Sequence, residues 1–487
     1  MFLNYNPKYY QQRVIMELKL QEDLKHTDQL LQLTKDFSSR FLSAIDKLAA
    51  DKQVQVSSRA SVPVTGLGGV ATLEAFRQQY GNSITAAAGP RYWGFVTGGV
   101  TPAALMGDWL ASTMDLNSSD KSSAAFYIET ETIALLKALF GLPEAFLGCF
   151  VSGATMSNFT GLATGRQWVG QQHGVDIAAD GAAALPGLKV VSAVPHSSIG
   201  KAMSMLGIGR NNLVRVPVLP GRESVDIAAL RQYLEAHKGE PVIYVANAGT
   251  VNTVDFDDIA ALVQLKKEYG FWLHVDAAFG GFAACSDQWK HLLNGWEQAD
   301  SITIDAHKWL NVPYDAAMIF CRHPELQSAV FQNAGAAYLG DPATQFNFIN
   351  YIPENSRRQR ALPAWFSLMA YGKEGYRWLV ENDISLARQL GSLLETDPNF
   401  VVLSPVRLCV VCFTLQVAPE AEEEAVQEFL EALNNSGVVC MTATTYAGHS
   451  AIRAALVNWR TGSKDVLMAY DTMKVLGEEI VNKYTYA

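Results

Sequence analysis

The sequence predicts an α/β protein: a mostly parallel sheet covered by helices, with a helical N-terminal segment and a small α+β C-terminal domain. Three observations predict it. Between residues 86 and 345, short apolar runs bounded by Gly, Ser, Asp or His alternate with helical stretches, the pattern of parallel strands joined by helical crossovers. Residues 1–85 are polar and helical in period. From 346 to 487, strands and amphipathic helices alternate in a smaller unit. The length of 487 residues is too great for one core and fits two or three domains of roughly 150 each.

In the N-terminal segment, Leu24, Leu30, Leu31, Leu33, Phe37, Phe41, Leu42, Ile45 and Leu48 approximate a 3.6-residue stripe. Such a stripe must pack on something, either a partner subunit or the same chain. VPVTGLGG (62–69) holds a glycine cluster, but no apolar strand precedes it, so it reads as a connecting loop. The central strands are GCFV, LKVVSAV, PVIYVAN, GFWLHVDAA and DSITIDA, with helices such as MSNFTGLATGRQWV and DDIAALVQLKKEY between them. In the C-terminal part, VVLSP, RLCVVCFTLQV, GVVCMTA and AIRAALVNW read as strands, and EAEEEAVQEFLEALNN and SKDVLMAYDTMKVLGEEIV as helices.

Composition narrows the function. With 49% apolar and 18% charged residues, disordered, coiled-coil and fibrous classes are excluded. A formal net charge of -10 argues against a nucleic-acid or anionic-membrane surface. No run reaches the 18 or so apolar residues of a spanning helix, and the N-terminus lacks the apolar core and cleavage site of a signal peptide. Six cysteines are too sparse for a disulfide framework, so the expected setting is the reducing cytoplasm. Cys409 and Cys412 form a C-x-x-C inside a buried strand, where cysteine is a small hydrophobe rather than a metal or redox ligand. No metal site is expected.

Ligands bind beyond the carboxyl ends of parallel strands. At those ends stand Ser152-Gly153-Ala154-Thr155, Pro195-His196-Ser197-Ser198, Gly249-Thr250, Asp276-Ala277-Ala278 and Asp305-Ala306-His307-Lys308. Lys308 lies between an apolar strand and Trp309-Leu310, a setting that desolvates an ammonium and favours a nucleophilic amine. A carboxylate at a sheet edge, a lysine and a phosphate-sized turn are what pyridoxal 5'-phosphate requires. The lysine forms the Schiff base, and Asp276 keeps the pyridine nitrogen protonated. The SGAT turn, with N–H groups at a helix start, suits the phosphate.

At this point the sequence resembles a known family. HVDAAFGG (274–281) followed by DSITIDAHKWLNVPYDAAMIF (300–320) is similar to the pyridoxal-phosphate-dependent amino-acid decarboxylases, which act on aromatic amino acids, glutamate or diaminobutyrate and share the aspartate-aminotransferase fold type. GPRYWGFVTGGVTPAALMGDWLA (89–111), PHSSIGKA and NSRRQRALPAWFSLMAYGKEGY (355–376) extend the likeness over most of the chain. The resemblance implies that Lys308 is the Schiff-base lysine, Asp276 the partner of the ring nitrogen and His196 the histidine stacked on the ring. It implies that Ala154, Thr155 and His307 lie at the phosphate, that Ala278 lies against the ring, and that Thr250 also contacts the cofactor. Tyr338, in AGAAYLGDP, matches a loop tyrosine that completes the active site of the other subunit in a homodimer. Arg453 sits where glutamate decarboxylases place an arginine that engages the substrate carboxylate.

Three departures stand out: SGATMSN where the family has S-G-G-T-E-A-N, Val251 at the second threonine of its G-T-T, so that only Thr250 keeps a hydroxyl there, and Asp305-Ala306 where Asn-Pro or Asp-Pro is common. None removes a group the chemistry needs. The expected activity is decarboxylation of an L-amino acid to its amine. Tyr338 favours this over aldehyde formation, since some aldehyde-forming relatives carry Phe there. Transamination or carbon–carbon cleavage on the same fold, and a non-catalytic dimeric scaffold, are the alternatives. Tyr92, Trp93 and Phe95 would line an aromatic substrate pocket or pack as ordinary core, and Arg453 pulls toward an acidic substrate.

Overall fold

The computed structural model describes residues 19–52, 62–118, 123–333 and 345–485. It begins with a helical hairpin of α1 (Thr27–Ala44) and α2 (Gly69–Tyr80). The hairpin closes where the Phe37 and Phe76 rings meet edge-on at 6.0 Å. No residue of α1 is buried, and Leu24 and Leu31 of the apolar stripe stay exposed. Helices α3 (Pro102–Met114) and α4 (Ala124–Phe140) then lead into the main sheet.

That sheet contains β1 (Leu147–Val151), β2 (Lys189–Ser192), β3 (Leu213–Arg215), β4 (Val242–Asn247), β5 (Trp272–Asp276), β6 (Ser301–Ile304) and β7 (Ala317–Cys321). Its spatial order is β1-β7-β6-β5-β4-β2-β3. Strands β2 to β6 pair in parallel, linked by α6 (Ser197–Met205), α7 (Ile227–Ala236) and α8 (Ile259–Tyr269), while α5 (Ala154–Gln172) follows β1. Asp226 and Asp258 cap α7 and α8, each accepting from first-turn N–H groups. Successive β4 residues serve different cores: Ile243 and Val245 pack in one cluster, Tyr244 and Ala246 in another. Both faces are therefore covered, which is why these strands read as continuous apolar runs.

The one departure from parallel order is β7, antiparallel to both β1 and β6. The connection after β6 carries Lys308 and contains no helix, so it cannot make the crossover that a parallel partner needs. After α9 (Pro324–Phe331), helix α10 (Ala361–Thr396) is interrupted at Gly372, whose φ of +59° breaks the helical path.

The C-terminal sheet is antiparallel, in the order β10-β11-β9-β8, with β8 (Phe400–Val402), β9 (Val410–Leu415), β10 (Thr442–Tyr446) and β11 (His449–Ala455). Helices α11 (Glu422–Asn435) and α12 (Ser463–Thr485) pack with it. The strand expected at GVVCMTA forms a few residues later. Gly437 takes a left-handed turn (φ +70°), and Cys440 donates to Arg91 O, pairing with the distant 91–93 segment instead. All six cysteines are free and buried, Cys409 and Cys412 among them. Among the described residues no helix is long and apolar enough to cross a membrane.

Candidate active site

The carboxyl ends of the parallel strands open onto a cavity of about 350 Å³. Ala154, His196, Thr250, Asp276, Ala278, His307, Lys308, Arg453 and Phe95 all line it, although they come from positions up to 358 residues apart. On the floor, Asp276 ends β5 with both carboxylate oxygens engaged. Oδ1 accepts from Ala278 N–H at 3.2 Å and Oδ2 from Asn158 Nδ2 at 2.9 Å. Lys308 Nζ stands 3.4 Å from Asp305 Oδ2 and 5.6 Å from the centre of the Phe279 ring, with its side chain mostly buried.

His196 is the N-cap of α6, its Nδ1 accepting from Ser198 N–H at 3.2 Å and contacting Ser198 Oγ at 2.8 Å. Burial lowers its pKa, Asp276 opposes that shift, and Lys308 and Arg453 reinforce it. The ring is thus neutral near pH 7. His307 is likewise pulled down by burial against the opposing charge of Asp305. Its Nδ1 accepts from Ala316 N–H at 3.3 Å and also lies 3.2 Å from Asp305 Oδ1. A Cβ on Gly153 would approach His307 Cε1 to 3.5 Å, so the histidine borders the turn that opens α5.

At that turn no side chain caps α5, and the N–H groups of Ala154 and Thr155 have no acceptor among the described residues. Free amides at a helix start beside a histidine make an anion cradle. The carboxylate, the amine and the cradle are the three contacts pyridoxal 5'-phosphate makes through its ring nitrogen, aldehyde and phosphate, and the residues present fit it.

The remaining expected residues divide. The Thr250 hydroxyl points away from a ligand: it donates to Glu223 Oε2 at 2.5 Å and accepts from Asp255 N–H, so Thr250 contributes wall rather than a free hydroxyl. Arg453 donates from Nη1 to Val251 O at 2.6 Å and from Nη2 to Phe95 O at 3.3 Å, while its buried Nε is unpaired. Trp93 is not a pocket residue. It is fully buried in the core of the small sheet, its indole N–H on Pro90 O and its backbone paired with Cys440 and Ala455. Tyr92 bridges to Cys440 and does not line the cavity. Phe95 does, because its left-handed φ of +58° turns the chain out of the pairing that holds Trp93. Tyr338 lies outside the described residues.

Sequence reasoning missed Tyr314, which lines the cavity, its ring packing on His307 at 4.4 Å and its hydroxyl pairing with Thr97 Oγ1 at 3.1 Å. It also missed Glu223 and Asn158. The signal for Asn158 was its place one turn after Ala154 on the same helix face.

A family model described as the pyridoxal-dependent decarboxylase conserved domain matches residues 71–416. An aromatic-L-amino-acid decarboxylase of Bacillus atrophaeus is 28% identical over 437 residues, covering 87% of this chain and 88% of that protein. A phenylacetaldehyde synthase of Arabidopsis thaliana is 26% identical, covering 80% and 81%. Among solved structures, Oryza sativa TDC with PLP and tryptamine superposes with a TM-score of 0.86 at 24% identity, covering 94% of this chain and 99% of that one. That likeness establishes the fold.

Proposed function

Because the chain belongs to the pyridoxal-dependent decarboxylases, and is thereby a pyridoxal-phosphate-dependent carboxy-lyase, we propose that it decarboxylates an aromatic L-amino acid to the amine and carbon dioxide. One observation carries the substrate class. Arg453 is the single arginine among the described cavity residues, and two of its three nitrogens are already engaged by backbone carbonyls. The second N–H of each Nη remains for one carboxylate, the α-carboxylate, and no second guanidinium among the described residues lines the cavity for an acidic side chain. Phe95, Val96, Pro195 and Tyr314 supply apolar and aromatic wall.

The chemistry pyridoxal phosphate supplies when bound is an electron sink for the pair released as the carboxylate leaves. Lys308 provides the amine that holds the aldehyde carbon. Asp276, an acceptor on the floor, holds a proton on the ring nitrogen. The first amides of α5 and the His307 N–H would hold the phosphate, and His196 would lie against the ring. Arg453 orients the α-carboxylate, and Phe95 and Tyr314, both more than half exposed, border the cavity. Tyr338 delivers the proton to Cα in this reading, with His196 as the other candidate.

The same reading treats residues 1–85 as a dimerisation segment, 86–345 as the cofactor domain and 346–487 as the small domain of a cytoplasmic homodimer with shared sites. The exposed Leu24 and Leu31, and the six free cysteines, support the assembly and the compartment respectively. An amine-product screen over the twenty amino acids and diaminobutyrate, with cofactor added, tests the substrate class. Aromatic amines are expected. A product from glutamate or diaminobutyrate alone would overturn it, and phenylacetaldehyde in place of the amine would favour the aldehyde-forming alternative.

A further inference from the structure

Beneath the cavity floor, buried polar groups from four elements (α5, α6, β5 and β6) form one chain whose donor directions are all determined. Asp276 as a carboxylate can only accept, so the Asn158 group facing it is the NH₂, which also donates to Ser198 Oγ at 3.1 Å. Asn158 Oδ1 then faces His274 Nε2 at 2.9 Å and requires a proton there. Full burial holds His274 neutral, its pKa lowered to about 4, so Nε2–H is its only proton and Nδ1 must accept. Ser301 Oγ supplies that hydrogen at 2.7 Å, while accepting from the Trp272 indole N–H at 3.1 Å. Thr303 Oγ1 lies 3.4 Å from the other ring nitrogen, Nε2, beside the Asn158 contact. On the other branch, Ser198 Oγ accepts from Asn158, and its hydrogen goes to His196 Nδ1. That leaves His196 with its proton on Nε2.

The helix is shaped around this chain. A Cβ on Gly161 would lie 2.5 Å from His274 Cε1, and one on Gly165 would lie 2.7 Å from Trp272 Cδ1. Glycine is unfavourable inside a helix, yet α5 carries two, one turn apart, under the two β5 side chains that begin the chain. Asn158 itself is fully buried and does not line the cavity.

We propose that Asn158 is a positioning residue for the reaction: one amide orients both the carboxylate that faces the cofactor ring nitrogen and, through Ser198, the imidazole that covers the ring, with His274 as the prop that sets the amide. The inference rests on the decarboxylase reading. A carboxylate held by fixed donors is preorganised to keep its own partner protonated, and every member of a buried network matters because none can turn to water.

The test uses the full-length protein, stripped of cofactor and titrated with pyridoxal phosphate carrying ¹⁵N in the ring. Asn158→Ala should weaken cofactor binding about 10-fold or more, the scale of one lost hydrogen bond to a charge. It should also move the ring-nitrogen signal toward the unprotonated position and lower kcat with little change in KM. Ser198→Ala cuts only the His196 branch, so kcat should fall while cofactor affinity and the nitrogen signal stay as in the wild type. His274→Gln can still present an N–H to Asn158 and should retain the signal, whereas His274→Phe should lose it. This last pair decides the matter if Asn158→Ala does not fold. Wild-type affinity and nitrogen signal in Asn158→Ala or in His274→Phe would overturn the proposal. So would a Ser198→Ala signal displaced as far as that of Asn158→Ala. Failure of the underlying reading is separate: it is wild-type protein that borohydride does not label at Lys308.

Discussion

Gly98 lies so close to Lys308 that a methyl group on its α-carbon would meet the lysine carbonyl oxygen at 1.6 Å. The obstacle is backbone, which no rotamer change relieves. Gly98→Ala should therefore displace the lysine loop and destabilise the fold by about 3 kcal/mol or more, at or above the upper end of the range for overpacked sites. A thermal midpoint and the extent of borohydride labelling at Lys308 measure both effects. A variant with wild-type values for each would show that the segment shifts freely.

Asp276→Asn keeps the side-chain volume but removes the anion proposed to face the ring nitrogen. At saturating cofactor the variant should still be loaded, with affinity weakened at least as far as in Asn158→Ala, while turnover falls at least about 100-fold, roughly 2.7 kcal/mol of barrier. Absorbance of the bound cofactor checks retention and single-turnover kinetics check the loss. Turnover within a few-fold of wild type would remove Asp276 from the role assigned to it.

His274 has a pH signature. Folded, its pKa is about 4 against an ordinary 6.5, so between those values the unfolded chain takes up a proton that the folded chain refuses. Stability is lost as pH falls through that window, at about 1.4 kcal/mol per unit and about 3 kcal/mol in all. Asp257 runs the other way, because burial raises its pKa to about 6 and acidification then favours the folded form. The comparison must therefore be with His274→Gln, in which Asp257 is unchanged. The difference between the two urea midpoints at fixed protein concentration should be constant above pH 6.5 and change below it, the wild type losing more. Parallel curves would mean that His274 is not buried neutral.

Tyr338→Phe removes one hydroxyl and almost no volume, so stability and cofactor binding should persist while controlled protonation at Cα fails. If the sites are shared across a homodimer as proposed, mixing with Lys308→Ala chains should restore part of the activity that neither parent has, since one site of each mixed dimer then holds both native residues. No recovery despite verified subunit exchange would place Tyr338 within its own chain's site or outside catalysis.

The sequence reading succeeded where a side chain's position follows from its place along a strand. Lys308, Asp276 and His196 each sit just past an apolar run, and strand ends in a parallel sheet converge, so their meeting was legible. Trp93 and Phe95 were not separable, because they share a strand face by parity and only the left-handed φ at Phe95 sends them apart. The Thr250 hydroxyl was misjudged because its acceptor, Glu223, lies 27 residues earlier in a loop without a pattern of its own. The role of Asn158 was invisible for a related reason: a polar residue inside a helix declares a partner only when the opposing strand is known.

Strand β1 delivers the phosphate cradle, yet the partner it bonds along its length is β7, from Leu147↔Cys321 to Val151↔Ala317. On the ribosome, that partner is made about 170 residues later, some 10–30 s of synthesis at ordinary rates. Until then β1 has no hydrogen-bonded neighbour in the sheet, and the turn behind it cannot be held against the lysine loop that β7 anchors. The cradle is thus among the first parts of the cavity to be synthesised and among the last to be secured. A nascent chain released short of residue 317 should fail to retain pyridoxal phosphate, even though Lys308, Asp276 and His196 are already present in it.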